Sequence, residues 1–304
     1  MVNSLLSEYG LAEKDIKKRD KLLSGFFELR DETFYKYVSR LFSFLESVGY
    51  SKKQISQIAK KSPQLIGFSS NLLDLKIKKM QELGFSKEQI IKMTVSLPQI
   101  YSYSVERLEE RFQYLKSLGY TKAQIIKMAS LFPSMFSYSI DNINDKIAFL
   151  LSIGYTKEQI LQMTSLISGI YGHSDDNIMN KINFLISLGY TKEEVLKMTL
   201  LYPGIFSTSV DVTKEKIEFL KEIGLKEFLV EKPKNLMQSV DLTYARFKYL
   251  MLDKSRILDK TTIDYLFTSA KAFEKMFGIS KEELLERYSY DLDVRSKNKG
   301  KLLK

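Results

Sequence analysis

Basic side chains at regular intervals are the residues in this chain whose type and spacing best suit a chemical role. One of them stands seven positions after each of six recurring serines. These six residues are Lys76, Arg111, Lys146, Lys181, Lys216 and Arg246. If equivalent positions line up as a row, six cations on one face can follow a phosphate backbone, with contacts that give affinity rather than sequence choice. The alternative is a row of solvated side chains whose aliphatic stems cover an apolar seam.

A second basic row stands just inside the start of a predicted helix in each of five units. Its members are Lys52, Lys87, Lys122, Lys157 and Lys192. A lysine at this position opposes the helix dipole by about 0.3–1 kcal/mol. Together with a helix N-terminus it also forms an anion site, so these lysines are secondary phosphate candidates. The alternative is that a neighbouring glutamate offsets the cost. A third, broken row of Lys92, Lys127 and Lys197 is interpreted as a solvated face.

One position varies among units that otherwise agree, and it lies immediately before the recurring serine. Its occupants are Phe68, Tyr103, Tyr138, His173, Thr208 and Gln238. Aromatic, imidazole, hydroxyl and amide groups can stack on bases or hydrogen-bond to them, so these are candidate base-contact positions. A half-buried packing position under weak constraint would vary in the same way. The repeated Met93, Met128, Met163 and Met198 are interpreted as core residues rather than a cofactor site.

Composition argues against an enzyme. The 304 residues include one histidine and no cysteine, which removes the usual metal clusters and most pairs of nucleophile and base. There is no glycine loop of the Walker or dinucleotide type, so we expect no cofactor, no metal and no small-molecule substrate. The formal net charge of +10 favours an acidic partner, which leaves nucleic acid, an anionic membrane or an acidic protein.

The candidate residues are placed by an internal repeat. Serines recur every 35 residues at Ser69, Ser104, Ser139, Ser174 and Ser209, and the next, Ser239, follows after 30. Glycines recur at the same interval from Gly49 to Gly224. A fixed period of this length indicates an array in which each unit buries its apolar face against its neighbours.

Each unit predicts two helices and a short turn. The serine is a good N-cap, apolar residues follow at helical spacing, and the glycine can end the first helix. Capping boxes such as Thr156-Lys-Glu-Gln159 then begin a second helix. That helix ends near Pro63, Pro98, Pro133 or Pro203, since proline cannot continue it. The predicted fold is therefore all-α, an α-solenoid of about six to seven units of about 35 residues.

The predicted organisation has four parts. Residues 1–30 form an N-terminal helical cap, residues 31–253 the repeat array, residues 254–292 a C-terminal helical cap and residues 293–304 a basic, disordered tail. Units begin near residues 34, 69, 104, 139, 174, 209 and 239. Where other units have proline, one has Ser168, which indicates either neutral drift or a flexible joint.

Three recurring segments carry a family resemblance. They read LGY-T/S-K-E-Q-I-x-K-M, then P-x-I/M-F-S, then K-I-x-F-L, over roughly residues 41–252. This pattern resembles the mitochondrial transcription termination factor (mTERF) family. The resemblance implies a superhelical solenoid of three-helix repeats with a basic concave groove. It also implies double-stranded DNA or RNA as partner, and a role in transcription, its regulation or its termination. A weaker likeness is to TAL-effector-like arrays, whose units are shorter.

The resemblance ranks double-stranded DNA ahead of RNA as the partner and favours a monomer inside an organelle, the mitochondrion. Residues 1–30 do not read as a presequence, since acids such as Glu8 and Asp15 are present, so a bacterial or host cytoplasmic or nuclear location stays open. The main alternative function is a protein-interaction solenoid, either a scaffold or a secreted effector, that docks an acidic partner. An anionic membrane surface is less favoured, because no basic amphipathic helix stands apart from the array.

Overall fold

A computed structural model describes residues 2–12 and 31–288, which fold into two compact units, Met1–Gly172 and His173–Lys304. Within the described ranges every regular element is helical, so the prediction of an all-α repeat fold is confirmed. In the first unit the α-helices are α1 Val2–Glu8, α2 Asp31–Ser47, α3 Lys52–Lys61, α4 Ser70–Glu82, α5 Lys87–Ser96, α6 Val105–Leu118, α7 Lys122–Leu131, α8 Ile140–Ile153 and α9 Lys157–Leu166.

The second unit continues the pattern and then departs from it. Its α-helices are α10 Asp175–Ser187, α11 Lys192–Leu201, α12 Val210–Glu222, α13 Phe228–Glu231, α14 Val240–Lys248, α15 Lys260–Leu266, α16 Ala270–Phe277 and α17 Lys281–Arg287. The repeat of 30 residues that begins at Ser209 has lost most of its second helix, since α13 has four residues where α11 has ten. A π-helical turn, Tyr249–Asp253, follows α14.

Capping explains where the helices of each repeat begin and end. The serine side chain accepts a hydrogen bond from the third residue of the first helix, as Ser139 does from Asn142 N. Ser209 holds the same position but makes no such side-chain bond. Capping boxes begin α3, α5, α7, α9 and α11 as predicted. The glycine after the first helix has positive φ, +113° at Gly119, which side-chain-bearing residues rarely adopt.

A 3₁₀ turn closes each repeat and begins at the proline. These turns are Pro63–Gly67, Pro98–Ser102, Pro133–Phe136, Pro203–Ser207 and Pro233–Met237. The repeat without proline forms the same turn, Ser168–Gly172, so proline is not required for this turn. Gly172 in that turn has a packing reason, because a Cβ there would lie 2.5 Å from the Tyr138 hydroxyl.

Helices at equivalent positions in successive repeats lie side by side. In the first unit α2, α4 and α6 form one layer of first helices, and α3, α5, α7 and α9 form a layer of second helices. Between them lies an apolar core to which Met93 and Met128 contribute fully buried side chains. Met163 and Met198 are also buried, so the prediction that the repeated methionines are core residues is confirmed.

Buried hydroxyl groups link neighbouring repeats at every second boundary within the first unit. The Tyr50 hydroxyl lies 2.6 Å from Thr94 Oγ1 and 2.7 Å from the Tyr101 hydroxyl. Two repeats further on, Tyr120 makes the same contacts with Thr164 and Tyr171. At the boundary between these clusters the three equivalent positions are all apolar and buried. They are occupied by Phe85, Ala129 and Phe136. Over these three boundaries the three positions change together, because a buried hydroxyl needs a partner.

Some predicted parts of the chain lie outside the described residues. The N-terminal cap is described only at residues 2–12, where α1 packs on α2, and the basic tail at 293–304 is not described. In the predicted C-terminal cap, Ser269 caps α16, Gly278 ends it with φ of +69°, and Ser280 caps α17. This order of serine, helix, glycine, cap and helix is that of a shortened repeat.

Candidate nucleic-acid interface

The six cations seven residues after the serines, here called the serine-plus-seven cations, project from the first helix of each repeat toward the protein interior. Lys76, Lys146, Lys181, Lys216 and Arg246 are between 0 and 8% exposed. The sixth, Arg111, has a side chain that is 12% exposed. Burying a charge is costly unless hydrogen bonds compensate it, so the partners of these groups decide their role.

Most of their partners are carbonyl groups in or beside the turn that ends the same repeat. Lys76 Nζ donates to the carbonyl oxygens of Tyr101 and Tyr103, and Lys181 Nζ donates to Thr208 O at 2.6 Å. Burial lowers the pKa of both lysines. Each bond joins the first helix of a repeat to the turn that closes it, and it satisfies carbonyl groups that no regular helix pairs.

The same contact recurs near the end of the second unit. Arg246 Nη1 donates to Leu266 O at 2.9 Å and to Thr268 O at 2.7 Å, and the guanidinium lies 4.8 Å from the Phe273 ring centroid. Lys216 Nζ donates to Ser239 O at 3.2 Å and to Thr243 Oγ1. Burial, and secondarily the nearby Arg246, lower the pKa of Lys216 to about 7.

One repeat distributes these roles differently. Arg111 Nη1 lies 3.5 Å from a Glu110 carboxylate oxygen, while its Nε and Nη1 atoms are buried without a hydrogen-bond acceptor. Arg107, one turn earlier on α6, instead donates to the turn carbonyl of Ser137 at 2.9 Å. Arg107 lies outside the recurring basic rows, because no other repeat has a basic residue at that position.

The expectation that the serine-plus-seven cations face solvent as a row is therefore wrong for Lys76, Lys146, Lys181, Lys216 and Arg246. Their regular spacing has a structural cause. At Lys76, Lys181 and Arg246 a long basic side chain on the first helix reaches the carbonyl groups of the turn that closes the same repeat. Phosphate-binding groups are therefore expected at other positions.

The second basic row is exposed in every member, at Lys52, Lys87, Lys122, Lys157 and Lys192. A Cβ at Gly49 would lie 2.8 Å from Lys87 Nζ, and one at Gly84 would lie 2.6 Å from Lys122 Nζ. These lysines thus reach the C-terminus of the preceding first helix, where a cation is favourable. That contact offsets the cost of a lysine at the start of its own helix. Lys157 does not make this contact, since the side chain nearest Gly119 is that of Leu161.

The charge of the first unit is divided unequally between its two helix layers. The second helices α3, α5 and α7 carry eight lysines and a single acid, Glu88. The first helices of the same repeats, α2, α4 and α6, carry eight acids and eight basic residues. All eight lysines are exposed, and we call them the basic face: Lys52, Lys53, Lys60, Lys61, Lys87, Lys92, Lys122 and Lys127.

Packing brings these lysines together. Because α3 contacts α5 and α5 contacts α7, their axes lie about 8–10 Å apart and equivalent residues point the same way. A shallow cavity of about 460 Å³ between α3 and α5 is lined by Lys61, Lys92 and Glu88, among others. Lys61 Nζ donates to Val95 O at 2.9 Å and to Ser96 O at 3.1 Å, and these bonds fix one side of the cavity.

The face is confined to the first three repeats. Helix α9 carries one lysine and one glutamate, and α11 carries two lysines and two glutamates, so neither helix has a net side-chain charge. Lys197, a member of the third row, forms an ion pair with Glu231. Lys92 and Lys127, the other members of that row, are exposed and belong to the basic face.

The variable positions before each serine are all half-buried and already make protein contacts. Tyr138 stacks on Phe132 at 6.3 Å between ring centroids, and His173 Nε2 lies 3.1 Å from Ser207 Oγ. Gln238 Nε2 donates to Phe267 O. Base contact by Phe68, Tyr103, Tyr138, His173, Thr208 and Gln238 stays a prediction.

Two other kinds of site are absent from residues 2–12 and 31–288. In these ranges, histidine, aspartate and glutamate side chains form no group of three or more that could hold a metal ion. Among the described helices, none is long and apolar enough to cross a membrane.

Comparison with known proteins agrees with this architecture. The mTERF family model matches residues 2–117 and 106–274, which together span most of the chain and include every element of the basic face. No curated protein shows significant similarity to the chain. The match covers consecutive helical repeats rather than a single motif, and on that ground the chain belongs to the mTERF family.

Proposed function

We propose that this chain is a non-catalytic nucleic-acid-binding repeat protein that grips phosphate groups through its basic face. The observation that carries the proposal is the charge division in the first unit. Second helices carry eight lysines against one acid, while the first helices of the same repeats are balanced. A solubility requirement would not segregate charge in this way. A phosphate backbone presents closely spaced negative charges, which a layer of lysines on one side of the protein can bind together.

The proposed ligand is double-stranded DNA in preference to RNA, bound by a monomer acting in transcription or its termination. Membership in the mTERF family supports nucleic acid as the ligand and transcription as the process. Lysine ammonium groups are point charges without the planar fork of arginine, so they suit phosphates better than base edges. The face should therefore bind with little choice of sequence. The second-row members Lys52, Lys87 and Lys122 contribute to it, and the buried serine-plus-seven cations hold the repeats that carry it.

A salt titration of binding tests this function. The chain is titrated with mixed-sequence duplex DNA, single-stranded DNA and duplex RNA of equal length. Each phosphate contacted on duplex DNA contributes about −0.9 to the log–log slope of affinity against salt. A slope steeper than about −3, with duplex DNA bound tightest, is the expected result. Absence of binding to all three ligands at low salt would overturn the proposal.

A second candidate function is docking of an acidic protein. It is favoured by exposed leucines at equivalent positions in the same helix layer, since Leu131 on α7 is 57% exposed and Leu166 on α9 is 46% exposed. Apolar side chains add nothing to phosphate binding but are common at the centre of protein interfaces. Binding to nucleic acid that is unaffected by Leu131→Ser would favour the first function over this one.

A further inference from the structure

The second unit contains a cavity of about 740 Å³ that the basic face does not involve. Its lining includes Arg246 on α14, Lys234 in the preceding turn, Lys281 at the start of α17, and Gln238 and Asp241 beside them. The cavity also reaches the N-terminus of α16, at Ser269 and Ala270. Basic groups thus surround an open space in which Asp241 is the one acid among the lining residues.

Arg246 is the unusual member of this set. Its side chain is 1% exposed, and its Nη1 atom is used by the carbonyls of Leu266 and Thr268. Its Nε atom is buried with no hydrogen-bond acceptor among the described residues. An unmade hydrogen bond on a buried charged group is costly. Guanidinium groups bind carboxylate and phosphate oxygens through such donors.

The surrounding charges are not balanced within the described part of the chain. Lys216, which is 0% exposed, lies close enough to Arg246 for the two cations to repel each other. Neither Lys234 nor Lys281 forms an ion pair with any described residue, and the single acid of the lining is Asp241. Among the lining residues, one buried cation and two exposed ones therefore meet one carboxylate. Additional negative charge in the cavity would stabilise the folded chain.

The end of α16 adds a further attraction for an anion. This helix has no acidic residue in its first turn, whereas α14 has Asp241 in its own. Ser269 Oγ accepts from Ala272 N, which leaves other first-turn N–H groups of the helix to a ligand. Backbone N–H groups and the helix dipole favour phosphate at such a position.

We propose that this cavity, lined by Arg246, Lys234, Lys281 and the N-terminus of α16, is a binding site for a phosphate group. The guanidinium of Arg246 supplies positive charge and an unused donor beside the cavity, Lys234 and Lys281 add charge at the mouth, and the first turn of α16 donates N–H groups. Tetrahedral phosphate fits the chemistry better than a carboxylate, because it has enough oxygens for both the guanidinium and the helix end. The phosphate can belong to a free phosphorylated molecule or to the end of a nucleic-acid strand.

The test uses the full chain and measures binding by calorimetry. The probes are inorganic phosphate and a short single-stranded oligonucleotide carrying either a 5′-phosphate or a 5′-hydroxyl. The variants are Arg246→Lys, which keeps the charge but removes the guanidinium donors, and the double variant Lys234→Gln/Lys281→Gln. Lys275→Gln is the matched control, since it removes an exposed lysine from the last turn of α16 that does not line the cavity.

The expected result is phosphate binding that Arg246→Lys and the double variant each weaken about tenfold or more, with less than a twofold effect of Lys275→Gln. If Arg246→Lys does not fold, the double variant decides, because both its lysines are exposed. Binding of inorganic phosphate would identify a free ligand as sufficient. Preference for the 5′-phosphate oligonucleotide alone would identify a strand end. No binding of any probe, or equal losses in the control and the double variant, would overturn the proposal.

Discussion

Lys181 Nζ donates a 2.6 Å hydrogen bond to the carbonyl oxygen of Thr208, the residue that precedes the next serine cap. The same relationship joins Lys76 to Tyr103 and Arg246 to Thr268, in each case between the first helix of a repeat and the turn that closes that repeat. Much of the most regular basic row in the chain is thus a set of contacts inside the repeats. Regular spacing alone does not distinguish basic residues that bind a ligand from basic residues that make hydrogen bonds inside the protein.

Replacement of Lys76 by methionine tests this structural role. The variant leaves the carbonyl groups of Tyr101 and Tyr103 without their donor, while methionine fills much of the same space. We expect the free energy of unfolding to fall by about 1–3 kcal/mol. Denaturant unfolding measures it, with Lys78→Met as the matched control. Lys78 is an exposed lysine of the same helix, so its loss should change stability by less than about 0.5 kcal/mol.

The affinity of folded Lys76→Met for duplex DNA should equal that of the original chain at each salt concentration. Unchanged stability together with weakened binding would instead show that Lys76 belongs to the ligand-binding surface, and would contradict its structural role.

The buried hydroxyl cluster of Tyr50, Thr94 and Tyr101 gives a second prediction. Tyr50→Phe alone strands the Tyr101 hydroxyl in the core and should cost about 1–3 kcal/mol of unfolding free energy. The triple variant Tyr50→Phe/Thr94→Ala/Tyr101→Phe reproduces the native arrangement of Phe85, Ala129 and Phe136. It should recover most of that loss, because no buried polar group then lacks a partner.

The reciprocal change, Phe85→Tyr, introduces a hydroxyl opposite Ala129 and Phe136 and should be destabilising. Thermal and denaturant unfolding of these variants measure the set. A triple variant as unstable as the sum of its single changes would show that the three positions are not coupled.

Lys216 makes stability depend on pH. Its pKa in the folded chain is lowered to about 7, chiefly by burial, from an ordinary value of 10.5. Between these values the unfolded chain binds a proton that the folded chain does not, so stability rises with pH. The contribution is at most about 1.4 kcal/mol per pH unit. Unfolding of the original chain and of Lys216→Met between pH 6 and 9.5 measures it.

The stability of the original chain should increase relative to Lys216→Met as the pH rises from about 7, and the difference should be constant below pH 7. Parallel curves over the whole range would contradict a lowered pKa for Lys216.

Local signals made most of the fold predictable from sequence. Serine caps, capping boxes and positive-φ glycines act over a few residues, so their positions mark helix ends directly, as at Thr156 and Gly119. Proline at the turn was a helpful signal but an incomplete one, because the turn at Ser168 forms without it. The shortened unit before Ser239 was visible as a gap, and its location in the second helix required the structure.

The binding surface was harder to predict because spacing does not reveal direction. Lys146 and Lys122 both recur with the repeat, yet the first is buried and the second exposed. Which way a helix residue points depends on the layers it packs between, and that information lies in the apolar positions of both helices together. Comparing the charge of first and second helices would have revealed the basic face, since it needs only the helix boundaries.

The central claim is that phosphates bind the second-helix layer, and two triple variants of equal charge test it most directly. Lys53→Gln/Lys92→Gln/Lys127→Gln removes three lysines of the basic face. Lys36→Gln/Lys78→Gln/Lys116→Gln removes three exposed lysines from the first helices of the same repeats. The measurement is the log–log slope of duplex DNA affinity against salt for each variant. The basic-face variant should flatten the slope by about 2–3 and the first-helix variant by less than about 1. Equal changes in both variants, or the larger change in the first-helix variant, would contradict the claim.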